Sequence, residues 1–368
     1  MIVSNHHRIT RDIRNILIIQ LGDIGDVVWA IPTLWAVKEA YPQANISVLL
    51  QGGFGCLLEP DPSIHKIFEV KHYQGGLLSD AIKQVRFVKE MRQEKFDLVF
   101  DLRGGDRGAI MARLTGAPMR VSLYYRDVPF WRNRLFTHLL VEPAPPKERI
   151  LGAAEQSLRI IRGFGIVTKS TIPRLRVSDQ VMKRVYQILT DCNMEPLFSD
   201  FTHRWITVNP FSRWPYKEWP YDKWVHVINW LWNEFHVAAV IVGSREETVR
   251  AAELLKKCSG IAYSLAGKTT LAELAGVLSL SSLNAGVDSG ATHIAAAVGT
   301  PTITIYGPSD WRDWAPVGDK HHVIVPDMDC VPCYKKGCNG SGQSNCLKNL
   351  AVDMVQEVIR EEFEKILW

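Results

Sequence analysis

The sequence predicts an α/β protein with two successive doubly wound halves, each built on a mostly parallel sheet. Short apolar runs rich in β-branched residues alternate with segments of helical period along both halves of the chain. Glycine-containing turns follow several of these runs, as at Gly22 and Gly290. The length of 368 residues suits two domains. Because ligands bind at the carboxyl ends of the strands in such sheets, we expect a ligand between the two halves.

The first half opens on a strand, a turn and a helix. Residues 15–19 form an apolar run typical of a buried parallel strand, and a helix is predicted after the turn. The turn carries Asp23 and Asp26. Either aspartate can serve as a helix cap, which is one interpretation. The other is that one of them is a catalytic carboxylate at a ligand crevice, and we expect that one to be Asp26.

Further strands of the first half are predicted at residues 45–50, 66–70 and 96–101, and a helix at 79–94. Strands separated by helices of this length imply right-handed crossovers and a parallel sheet. The helix is expected to bury the apolar residues on its inner face, namely Ile82, Val85, Phe87, Val88 and Met91.

Residues 119–140 interleave arginines with aromatic residues and show no clear period. Such a segment can bind single-stranded nucleic acid, bind an anionic sugar or lie near a membrane surface. It can equally be an ordinary loop with buried aromatics and solvated arginines. These alternatives stay open at this point. The arginines in question are Arg120, Arg126, Arg132 and Arg134.

The second half repeats the alternation, with predicted strands at residues 205–209, 237–242, 282–287 and 302–306. Two of its turns contain polar residues suited to a phosphorylated ligand. The first places a hydroxyl and a cation, Ser212 and Lys217, after a strand. The second begins a helix at Asp288, where backbone N–H groups and the helix dipole favour a diphosphate.

Several function classes are excluded by the sequence. A P-loop is excluded at Gly267, because the glycine that this motif needs five residues earlier is Ala262. The first turn lacks the dinucleotide fingerprint and places carboxylates where a pyrophosphate would sit, which argues against a dehydrogenase. A formal charge of +4 does not indicate nucleic acid. Without a long apolar run or a secretory signal, we expect a cytoplasmic enzyme.

Three motifs in order resemble those of the family 9 glycosyltransferases, the bacterial heptosyltransferases of the lipopolysaccharide inner core. They are the first turn from Gly25 to Pro32, the sequence Lys217-Glu218-Trp219-Pro220, and the turn from Asp288 to His293 with the later Tyr306-Gly307-Pro308. The resemblance covers nearly the whole chain. It implies the GT-B architecture, two Rossmann-like doubly wound domains facing a central cleft.

The resemblance also implies roles for individual residues. Asp26 corresponds to the general base, and Lys217 to the cation that steadies the donor diphosphate. Arginines of the first domain would bind the acceptor, which gives this role to Arg120, Arg126, Arg132 and Arg134. The donor site implied by the resemblance consists of Ser212, Lys217, Glu247, Asp288, Ser289, Gly290 and His293.

Four of the seven cysteines lie close together in the sequence. They are Cys330, Cys333, Cys338 and Cys346. Four thiolates at such spacing can hold a structural zinc or iron ion. Reduced thiols are an alternative, and a disulfide is disfavoured in a cytoplasmic chain. None of the three would take part in catalysis.

The resulting prediction is an inverting, metal-independent transferase that moves heptose from ADP-heptose to the lipopolysaccharide core. It needs no cofactor for catalysis, does not bind nucleic acid, and is cytoplasmic with peripheral contact to the inner membrane left open. Residues 1–170 would bind the acceptor, residues 171–348 the nucleotide sugar, and residues 349–368 would form a helix returning to the first domain. The alternatives are a related GT-B transferase with another nucleotide sugar or a protein acceptor, and a noncatalytic nucleotide-sugar-binding protein.

Overall fold

The computed structural model describes residues 1–7, 9, 12–71, 75–141, 152–197 and 205–367. The chain divides into two compact units. The first comprises Met1–Pro146 and Ala153–Arg176, and the second contains Val177–Trp368.

The first unit is a seven-stranded parallel sheet in the order β1-β7-β6-β5-β2-β3-β4. Its elements are β1 Ile2–Ser4, β2 Asn15–Gln20, α1 Ile24–Ala40, β3 Asn45–Gln51, β4 Lys66–Val70, α2 Leu77–Gln93, β5 Leu98–Asp101, α3 Asp106–Leu114, β6 Met119–Leu123, α4 Phe130–Arg134, β7 His138–Leu140 and α5 Ala154–Arg162.

The strand order reverses direction at β2 in this unit. From β2 the chain goes to β3 on one side and then returns to β5 on the other, so the turns after β2 and β5 meet at one edge of the sheet. One face of the sheet buries Leu17, Ile19 and Val99 against apolar residues of α2 and α3. A reversal of this kind opens a crevice at the carboxyl ends of the strands.

One prediction for the first unit is wrong in detail. Ile82 and Val85 are 64% and 68% exposed, because only the later turns of α2 pack on the core through Met91 and its neighbours. The segment 119–140 contains two strands, β6 and β7, with α4 between them. Both strands are short and lie towards one edge of the sheet, where the polar residues of the segment are tolerated.

The second unit is a six-stranded parallel sheet in the order β10-β9-β8-β11-β12-β13. Its elements are α6 Asp179–Asp191, β8 Trp205–Asn209, α7 Tyr221–Phe235, β9 Ala238–Ile241, α8 Thr248–Lys257, β10 Ala262–Ser264, α9 Leu271–Leu280, β11 Leu283–Val287, α10 Gly290–Ala297, β12 Thr302–Ile305, α11 Trp311–Trp314, β13 His321–Ile324, α12 Asn345–Asn349 and α13 Val352–Leu367.

The second sheet is covered by helices on both faces. Residues of α7, α8 and α13 pack on one face, and residues of α6 and α9 pack on the other. Here the strand order reverses at β8, so the turns after β8 and β11 meet at one edge. The two predicted polar turns, which carry Lys217 and Asp288, are these same turns.

The last helix, α13, buries Val355, Ile359 and Phe363 in the core of the second unit. Its predicted return to the first domain stays a prediction. In the part of the chain that the structure describes, no helix is long and apolar enough to cross a membrane.

Candidate functional site

Asp26 lies in the first turn of α1, at the edge of the first sheet where the strand order reverses. Its Oδ2 atom accepts a hydrogen bond of 2.8 Å from the backbone N–H of Asp23, and the two residues form a capping box. Asp23 is thus the helix cap, as one interpretation of the sequence expected. The other carboxylate oxygen of Asp26 lies outside this contact, and the side chain is 17% exposed.

Arg103 follows β5 and donates from Nη1 to Oδ2 of Asp26. Burial raises the pKa of Asp26 above its usual value, and the charge of Arg103 works against that rise. Gly22 makes the pair possible, since a Cβ at this position would overlap both side chains. Asp26 therefore lies beside one arginine in a partly desolvated site, an arrangement that suits a general base.

Asp101 is a second carboxylate at this edge, and the sequence analysis did not single it out. It is the last residue of β5, is 1% exposed, and accepts a 3.3 Å hydrogen bond from the backbone N–H of Arg103. Burial raises its pKa to about 7, against the hydrogen bonds of the Arg103 and Gly104 backbone and the charges of Arg132 and Arg103. Asp101 thus holds the turn that presents Arg103 to Asp26.

The four arginines predicted to bind acceptor have different surroundings. Arg120 donates to the backbone carbonyls of Leu135 and Ala117 near the start of β6, so its guanidinium fastens the chain rather than facing a ligand at the carboxyl edge. Arg132 donates to Asp106 Oδ1 at 3.2 Å. Arg126 and Arg134 are exposed. Two donors of Arg120 are thus used by the backbone, and its predicted role in acceptor binding stays a prediction.

Lys217 and Asp288 form the central pair of the second unit. Lys217 Nζ lies 2.6 Å from Asp288 Oδ2, across the turns after β8 and β11. Burial acts to raise the pKa of Asp288, but Lys217, His293 and Ser309 outweigh it and hold that pKa below its usual value. His293 Nε2 lies 3.8 Å from Asp288 Oδ1, and burial lowers the pKa of His293 to about 4. At neutral pH the histidine is uncharged, so Lys217 is the cation of this group.

The first residues of α10 carry the other predicted donor ligands. Ser289 is the N-cap of α10 and Gly290 its first residue. The hydroxyl of Ser289 accepts a 3.0 Å hydrogen bond from Asn209 Nδ2, at the end of β8. Gly286 pairs with Asn209 in the sheet and must be glycine, because a Cβ there would overlap the Asn209 amide. The amide thus joins the end of β8 to the N-cap of α10, which directly follows Asp288.

Glu247 and Ser212 complete the predicted donor set. Glu247 Oε2 accepts a 2.6 Å hydrogen bond from the backbone N–H of Ser244, in a capping box before α8. Ser212 is 6% exposed, and its backbone N–H donates to Glu218 Oε1 at 2.9 Å. Trp219 of the same turn is fully buried in edge-to-face contact with Trp224. The tryptophan anchors the turn and leaves Lys217 and Glu218 at the edge of the sheet.

The four clustered cysteines, predicted to hold a structural metal ion or to stay reduced, are not grouped for a metal ion in the described residues. All seven cysteines lie within the described residues, where each is a reduced thiol. Cys330, Cys333 and Cys338 lie close enough to Cys346 to help raise the pKa of its thiol, although burial is the largest cause. Within residues 1–7, 9, 12–71, 75–141, 152–197 and 205–367, no three His, Cys, Asp or Glu side chains are grouped so that they could hold a metal ion.

Comparison with known proteins agrees with this architecture. Residues 84–342 match the family model described as glycosyltransferase family 9 (heptosyltransferase). The chain is 28% identical over 298 residues to lipopolysaccharide heptosyltransferase 3 of Escherichia coli (strain K12), which covers 79% of this chain and 82% of that protein.

Two solved structures have a similar fold. The E. coli ADP-heptose lps heptosyltransferase II superposes with a TM-score of 0.73 at 20% identity, covering 96% of this chain and 100% of that chain. The iron-containing dodecameric glycosyltransferase TibC of enterotoxigenic E. coli H10407 superposes with a TM-score of 0.60 at 14% identity, covering 97% of this chain and 78% of that chain. The protein is therefore a transferase that belongs to glycosyltransferase family 9, the heptosyltransferases, and it has the GT-B fold.

Proposed function

We propose that this enzyme transfers heptose from ADP-heptose to the lipopolysaccharide inner core, with inversion at the anomeric carbon and without a catalytic metal. The Lys217–Asp288 pair beside the N-terminus of α10 is the observation that carries the proposal. A cation and a helix N-terminus at the point where the strand order reverses form a site suited to a diphosphate. The family and the ADP-heptose-dependent structural neighbour support this donor.

Asp26 is the proposed general base. In the transfer, a bond forms between the acceptor oxygen and the anomeric carbon, while the bond from that carbon to the diphosphate oxygen breaks. The hydroxyl proton passes to the Asp26 carboxylate, and ADP leaves with the electron pair. A carboxylate with a raised pKa is a better proton acceptor, and the charge of Arg103 limits that rise.

Lys217 and the first N–H groups of α10 would stabilise the charge that develops on the departing diphosphate. Asp288 holds the Lys217 ammonium in place and is itself kept ionised. Glu247 is the proposed ligand of the adenosine ribose. Ser212, Ser289, Gly290 and His293 complete the donor site. His293 does so as a neutral neighbour of Asp288 rather than as a phosphate-binding cation.

The acceptor is proposed to contact the first unit through Arg126, Arg132 and Arg134. Guanidinium groups bind carboxylates and phosphates with two parallel hydrogen bonds, and inner-core sugars carry such groups. An acceptor of this kind is anchored in a membrane. We therefore propose a cytoplasmic enzyme that works at the inner membrane surface through peripheral contact only.

A transfer assay tests this function against its alternatives. The purified protein is incubated with ADP-heptose or with other nucleotide sugars, together with truncated core acceptors or peptide acceptors. ADP release and the mass of the acceptor are measured. Gain of one heptose by the core acceptor is the expected result. Turnover with another sugar or a peptide would support a related transferase, and binding without turnover would support a noncatalytic protein.

A structural zinc or iron ion at the cysteines stays a prediction of the sequence. The neighbour TibC is described as iron-containing, but the cysteine thiols of this chain are not arranged for a metal. Elemental analysis of the purified protein, beside a variant with Cys330→Ser and Cys333→Ser, tests this point. The proposed transfer does not depend on its outcome.

A further inference from the structure

Two carboxylates of the second unit lie beside the proposed donor residues. Glu218 directly follows Lys217, and Glu247 is the proposed ribose ligand. Their side chains are only 10% and 13% exposed. Two desolvated negative charges next to a diphosphate site would repel the donor unless a cation compensates them.

Arg250 of α8 supplies that cation to both carboxylates. Its Nη1 atom donates to Glu218 Oε1 at 3.0 Å and to Glu218 Oε2 at 3.1 Å. Its Nη2 atom lies 3.5 Å from Glu247 Oε1. A planar guanidinium can reach both partners in fixed directions, which a single ammonium group cannot do.

Aromatic residues fix the orientation of the Arg250 guanidinium. It lies 4.9 Å from the ring centroid of Phe211, and its Nη1 atom is 2.7 Å from the hydroxyl of Tyr221. The Tyr221 hydroxyl in turn donates to Glu218 Oε2 at 2.6 Å. The arginine side chain is therefore held on three sides, by carboxylates, a hydroxyl and a ring.

The contacts of Arg250 also fix the position of the proposed donor residues on both turns. Glu218 Oε1 also accepts from the backbone N–H of Ser212, so the chain between Ser212 and Glu218 is closed by this carboxylate. Lys217 lies inside that closed segment and points to Asp288. Glu247, which comes after β9, is tied to the same guanidinium. Through Arg250 the two donor turns share one anchor.

We propose that Arg250 is a positioning residue of the donor site: it holds the Lys217 turn and the Glu247 turn in the geometry that binds the nucleotide diphosphate. The proposal rests on the proposed function, because it concerns the same donor. Loss of Arg250 weakens nucleotide binding and leaves the Asp26 chemistry unchanged.

The test compares Arg250→Met with Arg250→Lys and with a matched control, Arg360→Met. Arg360 also pairs with a glutamate, Glu234 at 2.8 Å, and lies over aromatic rings in the same unit, but it is far from the donor turns in sequence and in its contacts. For each variant, ADP affinity is measured by calorimetry. The values of kcat and KM are measured with ADP-heptose as the donor, and thermal stability is measured as well.

We expect Arg250→Met to weaken ADP binding and raise the donor KM by about tenfold, with a smaller fall in kcat because Lys217 is less well placed, and with the acceptor KM little changed. Arg250→Lys should fall between this variant and the wild type, since it keeps the charge but loses the second carboxylate contact. Arg360→Met should bind ADP like the wild type. If Arg250→Met does not fold, the Lys variant alone decides through its ADP affinity.

The outcomes separate this inference from the proposed function. A wild-type protein that binds no ADP overturns the function and this inference with it. A wild type that binds ADP, with Arg250 variants of unchanged affinity, overturns only the positioning role. A fall in thermal stability without a change in ADP affinity or donor KM would likewise show that Arg250 serves the fold alone.

Discussion

The two units use the same topological position for an ion pair, with opposite electrostatic results. In the first unit the carboxylate Asp26 follows the strand at which the order reverses, and its partner Arg103 follows the neighbouring strand. In the second unit the cation Lys217 follows the corresponding strand, and its partner Asp288 follows the neighbour. The first sheet thus presents a carboxylate at this edge, and the second sheet presents an ammonium group at the corresponding edge.

The pKa values of the two aspartates diverge because their surroundings differ. Burial dominates at Asp26 and raises its pKa despite Arg103, whereas at Asp288 the effect of burial is outweighed by Lys217 and its neighbours. Asp26 can therefore exchange a proton, while Asp288 keeps its charge and fixes a lysine. The position in the fold gathers charged groups, and the balance of burial and pairing decides which of them does chemistry.

The largest expected effect tests the first unit, where Asp26 is the proposed general base. Asp26→Asn keeps the size of the side chain but removes the proton acceptor, so kcat should fall by roughly 10²-fold or more. ADP affinity, measured by calorimetry, should be unchanged, since the proposed diphosphate site belongs to the second unit. Asp23→Asn is the control and should cost far less. Loss of turnover in the Asp23 variant with retention in the Asp26 variant would reverse the assignment of the base.

The next expected effect tests the ion pair of the second unit, in which Asp288 fixes Lys217. Lys217→Ala should abolish tight ADP binding, and it should also destabilise the fold, because Asp288 is left buried without its cation. Leaving such a charge unpaired costs about 3–5 kcal/mol. Adding Asp288→Asn should restore much of the thermal stability but not the ADP affinity. Equal ADP affinity in the wild type and Lys217→Ala would remove Lys217 from the site.

A smaller effect tests how Arg103 tunes the base. The charge of Arg103 lowers the pKa of Asp26 against the larger effect of burial. Arg103→Met should therefore raise that pKa further, and the acidic limb of the kcat/KM profile should move to higher pH. Arg103→Lys keeps a cation and should move the limb less. Superimposable profiles for the wild type and Arg103→Met would show that the ion pair has no role in catalysis.

The sequence predicted the central strands and the polar turns well, since buried parallel strands are continuous apolar runs and their exits carry glycine and polar residues. It did not predict β6 and β7, which are short strands in a segment that interleaves arginines with aromatic residues. Nor did it predict the partners of the site residues. Arg103 is 77 residues from Asp26 and Arg250 is 32 from Glu218, and only the folded sheet brings them together.

The last expected effect is a pH dependence of stability that comes from Asp101. Its pKa is about 7 in the fold and 3.8 as the ordinary value, mainly because of burial. Between these values the unfolded chain has lost the proton that the folded chain keeps, so this group makes the fold less stable as pH rises from about 4 to about 7. Above pH 7 the penalty is constant, and it is on the order of 4 kcal/mol at most.

Asp101→Asn removes this titration while keeping an oxygen that can accept from the backbone N–H of Arg103. The free energy of unfolding in urea should therefore improve relative to the wild type as pH rises from about 4 to about 7, and then stay level. Val99→Ala, on the same strand and fully buried, is the control, because it removes core contacts without a titratable group and should cost the same at every pH. If the Asp101→Asn and wild-type curves run parallel across this range, Asp101 is already ionised in the fold. Its carboxylate would then hold the Arg103 turn as a permanent charge, and the first unit would resemble the second more closely than the contrast between Asp26 and Asp288 suggests.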